Sequence, residues 1–230
     1  MCDIVLESLA SGEAVLTGEE KELGTALLDL GGGTTDLAIF SDKNIRHTFV
    51  LALGGNNLTN DVAIGLRAPH ADAEKIKTRY GTCLSKSVSA DDMIEVPGMG
   101  GRDARKLPRQ ILGEILEPRM EEIFTLAKRE VYRAGLENSI PSGLVLTGGT
   151  SLLEGTTEVA EAVFNLQTRL GKPQGITGLV DVVNNPMYAT GVGLVLYGAK
   201  NQTEKKFRIR DAHIFNRIVT QMKRWFKDVV

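Results

Sequence analysis

Eight consecutive residues, Asp29-Leu30-Gly31-Gly32-Gly33-Thr34-Thr35-Asp36, lie between two apolar runs of strand-like composition. Three adjacent glycines are poor strand formers, so local propensity does not account for them. Glycine removes the Cβ that would keep a phosphate from the backbone, and successive N–H groups in a turn form an anion-binding concavity. Asp29, at the strand end, is placed to hold a hydrated Mg2+, which favours one or two carboxylates together with phosphate and water. Thr34 and Thr35 add hydroxyls. A plain glycine-rich β-turn would carry the same residues. The segment is not a P-loop, because no Gly-Lys-Ser/Thr follows and both flanks are strands.

A second glycine site, Leu146-Thr147-Gly148-Gly149-Thr150-Ser151, follows a buried strand and precedes a helix. That setting suits close approach of a nucleotide. Alone the pair is a weak signal; its weight comes from sharing a chain with the first site.

The chemistry at the other end is different. From Ile214 onward a helical wheel gathers Ile214, Phe215, Ile218, Val219, Met222, Trp225, Phe226, Val229 and Val230 on one side. Arg217, Lys223, Arg224 and Lys227 lie opposite, among other polar residues. Aromatic residues facing a basic stripe are the signature of a helix lying in a membrane interface. Each basic residue near an anionic leaflet adds about 1 kcal/mol. The alternative is that this face docks on the protein's own body or on a partner. The polar stretch from Asn201 to Arg210 reads as a linker before it.

These sites need elements to hold them. Three strands, Gly24–Leu30, Thr34–Phe40 and Asn44–Leu53, joined by Gly31–Gly33 and Ser41-Asp42-Lys43, read as a β-meander. Helices are expected over Asp3–Ala10, Asn57–Gly65, Ala71–Tyr80, Pro108–Gly135, Thr157–Phe164 and Pro186–Gly198, and buried or short strands over Met93–Val96 and Gly143–Thr147. The stretch between Thr82 and Leu107 is otherwise irregular.

Composition sets the bounds. The chain has 230 residues, enough for one large domain or two small ones, and a net charge of −2. Lys205 to Val230 hold eight basic residues against two acids, so this tail carries +6 and the body −8. A mildly acidic body with a basic tail argues against nucleic acid as the body's partner and points the tail at an anionic surface. Two cysteines, Cys2 and Cys83, make no disulfide framework and read as free thiols in a reducing cytoplasm.

The Asp29–Asp36 hairpin and the later Gly148-Gly149 turn resemble the second phosphate loop and the adenosine loop of the actin, Hsp70 and sugar-kinase superfamily. Glu74 and Lys77, on bare chemistry an exposed helical pair, match that superfamily's Glu-x-x-Lys helix beside ribose and adenine. Further stretches resemble the FtsA family of actin-like bacterial division proteins. They are Leu23–Phe40, Ile45–Thr48, Asp72–Gly81, Glu95–Pro97 with Gly100–Arg102, Glu117–Arg119, Val145–Gly149, Gly175–Leu179 and the final helix.

The resemblance implies an α/β, actin-like (ribonuclease H-like) second half carrying a smaller inserted α/β subdomain and a C-terminal amphipathic helix. Residues 1–22 would form a helix leading from a first half. Residues 23–55 and 138–199 would form the nucleotide-binding subdomain and 56–137 the smaller upper one, followed by a linker at 200–212 and a membrane helix at 213–230. ATP and Mg2+ would be the cofactors.

The partners implied are the C-terminal peptide of FtsZ, further copies in actin-like filaments, other divisome proteins and the anionic cytoplasmic face of the inner membrane at the septum. Arg102, Arg105, Arg109 and Arg119 would meet the FtsZ peptide, although each also fits a solvated basic face. The function implied is a membrane-tethered adaptor anchoring FtsZ filaments; an ATP-hydrolysing enzyme or chaperone is the alternative. Actin-type ATPases are duplicated, and a first half with its own phosphate loop has no counterpart in this sequence. The chain is therefore expected to be a fragment, a truncated product or one part of a split protein, with weak or no ATP binding alone and at most weak ATPase activity.

Overall fold

A computed structural model of the chain describes residues 4–204, apart from Ala90, Met99, Gly101, Gly178 and Leu179. It divides into two units, one ending at Leu196 and one beginning at Tyr197.

Among the described residues, the segment leading to the first strand holds two helices where one is expected. Helix α1 spans Glu7–Val15 and α2 spans Gly18–Leu23. The break comes at Thr17, whose hydroxyl accepts from the Glu20 amide while the Glu20 carboxylate accepts from the Thr17 amide. This capping box starts a new helix. The meander follows: β1 (Thr25–Leu30), β2 (Thr35–Ser41) and β3 (Asn44–Leu51). Its second joint is a tight turn with Asp42 and Lys43 at φ of 52° and 65°, the left-handed geometry that matches strand twist in a hairpin.

Helices α3 (Gly55–Gly65) and α4 (His70–Tyr80) come next, then a hairpin of β4 (Met93–Val96) and β5 (Arg105–Pro108), then the long α5 (Arg109–Arg133). Strand β6 (Leu144–Thr147), α6 (Thr156–Phe164), β7 (Thr168–Leu170), α7 (Val180–Val183) and α8 (Ala189–Glu204) complete the described chain. Residues 200–204, expected to begin a linker, lie instead in α8, which runs through Glu204; the rest of the expected linker lies outside the described residues. No glycine or proline follows Gly198 in that stretch, and nothing else there breaks a helix. Among the described residues no helix is long and apolar enough to cross a membrane. The expected helix at 213–230, with Phe215, Ile218, Val219, Met222, Lys223, Arg224, Trp225, Phe226 and Lys227, lies outside the described residues.

The main sheet has the order β3-β2-β1-β6-β7, with the meander antiparallel and β6 and β7 parallel to β1. Strand β1 is buried along its whole length, which explains its near-continuous apolar sequence. On one face Leu28, Leu30, Leu37 and Ile39 pack under α3, α5 and α6; on the other Leu27, Ala38 and Phe40 meet Ala14 and Val15 of α1 and Ala189 and Val192 of α8. The first of these cores continues through Leu112 and Leu116 to Ile94 and Val96 of the small hairpin. Cys83 is buried there, its thiol pushed up to about 12 by the loss of water, so it stays protonated and acts as an apolar filler.

Candidate functional site

The Gly31–Gly33 hairpin is closed by a bond from the Gly31 amide to the Thr34 carbonyl at 2.9 Å. The β1–β2 register sets Asp29 directly opposite Asp36. Two carboxylates thus flank the glycines from adjacent strands. Thr34 Oγ1 donates to Asp36 Oδ2 at 3.1 Å. Thr35 turns away: its buried hydroxyl donates to the Leu53 carbonyl at 2.9 Å and braces the loop from behind.

Asp29 is the most constrained of these groups. Its Oδ2 accepts from Ser11 Oγ at 2.5 Å and from Thr190 Oγ1 at 3.1 Å. Burial raises its pKa, against the pull of these two hydroxyls, and the Asp36 charge pushes the same way as burial. Glu7 belongs to the same electrostatic group, its carboxyl raised by partial burial and by Asp36 and Asp29.

The structure adds a third glycine site that sequence reasoning passed over. Gly54 and Gly55 open α3, and the amides of Gly55 and Asn56 donate to the carbonyls of Gly31 and Gly32 at 2.9 and 2.7 Å. A Cβ on Gly54 would lie 2.8 Å from the Gly31 carbonyl oxygen and 2.9 Å from the Thr34 amide. Two glycines directly after a strand were the available signal. The Gly148-Gly149 turn closes the arrangement, since Thr150 Oγ1 also donates to the Gly31 carbonyl at 2.9 Å. Gly148 sits at φ +85°, where a side chain would be strained.

Lys77 and Glu74 are a pair, as the spacing predicts, but with a different division of labour. Lys77 is buried, and its three protons are taken by Gly55 O (2.9 Å), Thr59 Oγ1 (2.8 Å) and Glu74 Oε2 (2.8 Å). Lys77 therefore ties α4 to the start of α3, while Glu74 stays partly open to solvent. Burial works against ionising Glu74, but the Lys77 and Thr59 hydrogen bonds and the Lys77 charge outweigh it and hold the carboxyl below its ordinary range.

The four arginines separate into two pairs. Arg109 is engaged by the Tyr80 carbonyl, Asp92 and Glu154, and Arg119 by Asp61 (2.6 Å) and Glu122, so both are struts. Arg102 and Arg105 line a cavity of about 670 Å3 together with Arg67, Asp103, Ala63, Ile64, Ala68 and Gly98. Arg105 donates to the Leu66 carbonyl, which orients it along the rim. Neither Arg67 nor Arg102 has an ion-pair partner among the described residues. Arg67 follows α3 at φ +48°; a lone arginine in a helix-ending stretch gives no warning of this role.

The family model described as cell division protein FtsA matches residues 26–193. The chain belongs to the FtsA family. A cell division protein FtsA from Pseudomonas aeruginosa is 52% identical over 202 residues, covering 88% of this chain and 48% of that relative. The FtsA of Escherichia coli (strain K12) is 38% identical over 231 residues, covering 97% of this chain and 54% of its own length. This FtsA-family chain thus spans about half the length of the curated relatives it matches. Among solved structures, MreB5 of Spiroplasma citri bound to ADP superposes with a TM-score of 0.65 at 19% identity, over 88% of this chain and 62% of that one. A PilM–PilN type IV pilus biogenesis complex gives 0.63 at 18% identity, over 86% and 53%. The fold is accordingly the actin-like α/β fold.

Proposed function

We propose that this FtsA-family chain forms one wall of an ATP-binding cleft in a membrane-tethered adaptor that anchors FtsZ filaments. Residues 23–55 and 138–199 would form the nucleotide-facing part, 56–137 the part that meets FtsZ, and 213–230 a helix on the anionic cytoplasmic face of the membrane at the septum. Self-association into actin-like filaments and contact with other divisome proteins follow from the same family reading.

The observation that carries the adaptor reading is the arginine-lined cavity. Three guanidinium groups against the single carboxylate of Asp103, on a rim that also carries the apolar Ala63, Ile64 and Ala68, fit an acidic peptide with an apolar anchor. An FtsZ C-terminal peptide is expected to bind with an affinity that falls with added salt. Titration calorimetry on the chain tests this, and heats no larger than those of a scrambled peptide would sink it.

Nucleotide binding is supported by the convergence of Gly31–Gly33, Gly54-Gly55 and Gly148-Gly149 on one carbonyl, Gly31 O. The oxygen donors present, Asp29, Asp36 and Thr34, fit Mg2+, a hard ion that keeps water and shares phosphate oxygens. When bound, the ion would neutralise phosphate charge. Membrane attachment of residues 213–230 is tested by liposome co-sedimentation of the chain with and without them, and equal pelleting would remove that part.

A further inference from the structure

Asp29 is held from three sides by elements far apart in sequence. Helices α1 and α8 touch backbone to backbone: a Cβ on Gly193 would lie 1.8 Å from the Ala10 carbonyl oxygen. Ser11 follows Ala10 on α1, and Thr190 precedes Gly193 by one helical turn on α8. Their hydroxyl oxygens are 3.0 Å apart and both reach Asp29 Oδ2. The other oxygen, Oδ1, lies so close to Gly148 that a Cβ there would approach it to 2.5 Å. One carboxylate oxygen is thus saturated by two helices while the other is turned towards the second glycine turn.

We infer that Ser11 and Thr190 are positioning residues for the nucleotide's metal. They fix the plane of the Asp29 carboxylate, so that the packing of α1 on α8 sets metal-dependent nucleotide affinity. This rests on the nucleotide-binding reading above. Hydrogen bonds that orient a metal-directed carboxylate typically contribute 10–100-fold to metal affinity. A buried carboxylate needs partners for folding alone, and the metal dependence separates that role from positioning.

The test is titration of the 230-residue chain with ADP, followed by the amide shifts of Gly31–Gly33, which register millimolar affinities. It is run once with Mg2+ and once with excess EDTA. As one wall of the cleft, the unaltered chain is expected to bind ADP weakly, in the millimolar range, and more tightly with Mg2+ than without it. In Ser11→Ala and Thr190→Val that gain should shrink ~10-fold, with affinity in EDTA unchanged. Thr190→Ser, which keeps the hydroxyl, should retain the gain and shows that folding is not what changed. An undiminished Mg2+ gain in both variants, or equal losses with and without Mg2+, overturns the inference. No ADP-dependent shift in the unaltered chain overturns the nucleotide-binding reading, and this inference with it.

Discussion

The hydroxyl of Thr150 donates to the carbonyl of Gly31 across 119 residues of sequence, at 2.9 Å. The same carbonyl accepts the Gly55 amide at 2.9 Å. All three glycine loops are therefore stitched through a single oxygen. Thr150→Val keeps the shape and removes one donor, at a cost of about 1 kcal/mol. The urea midpoint is expected to fall with the slope unchanged. An unchanged midpoint would mean that the bond adds nothing to what the Gly55 amide already supplies.

Two glycines in these loops should behave oppositely when changed to alanine. At Gly148 the new Cβ would meet Asp29 Oδ1 and the Leu30 carbonyl oxygen at 2.5 Å in a left-handed backbone, so Gly148→Ala should cost about 3 kcal/mol or prevent folding. At Gly33 nothing lies within 4 Å of the new Cβ. Gly33→Ala should leave the thermal midpoint within a degree or two, about what a shift of a few tenths of a kcal/mol produces. Any loss of ADP affinity in that variant would then report on the loop's approach to ligand and not on the fold. Equal melting of the two variants would refute the distinction.

The contrast shows how far the sequence could be read. The Gly31–Gly33 hairpin, the meander and the long α5 were legible because glycine clusters, turn residues and apolar periodicity are local signals. Strands β5 (Arg-Lys-Leu-Pro) and β7 (Thr-Arg-Leu) were not, since each is short and polar and exists only through its partner, β4 or β6. Ser11 and Thr190 carry no local mark at all. Their significance is the one oxygen atom that both reach, a consequence of α1 and α8 crossing over β1. The arginines divide for the same reason: residue type placed four charges in one subdomain but could not say that carboxylates would pair Arg109 and Arg119 while Arg102 and Arg105 line a cavity.

That difference among arginines is itself testable. Arg119 holds Asp61 through two bonds, at 2.6 and 3.2 Å, joining α5 to α3. Arg119→Ala should therefore lower stability by about 1 kcal/mol, the upper range for partly exposed pairs, and leave affinity for an FtsZ peptide unchanged. Arg102→Glu should do the reverse, leaving the melt intact and weakening the peptide several-fold while flattening its salt dependence. Calorimetric titration of both variants against the same peptide decides it; loss of binding in Arg119→Ala alone would move the site away from the cavity.

The acid limb of stability should depend on Glu20. Burial opposes its ionisation, yet hydrogen bonds from Arg169 and Thr17 and the Arg169 charge outweigh that and hold its pKa below the ordinary value. Arg169 grips both carboxylate oxygens at 2.6 Å while donating to the Val15 carbonyl at 2.9 Å, so it fastens β7 to the α1–α2 junction. Because the folded-state pKa is depressed, the folded chain releases this proton more readily than the unfolded one. The contribution is complete above the unfolded value, about 4.3, and is lost as pH falls through the lower folded value. Arg169→Gln should lower stability by about 1 kcal/mol at pH 7, with a smaller difference from the unaltered chain at pH 3. Denaturant midpoints at the two pH values measure this directly. A difference that grew on acidification would show that Glu20 is not the group Arg169 serves.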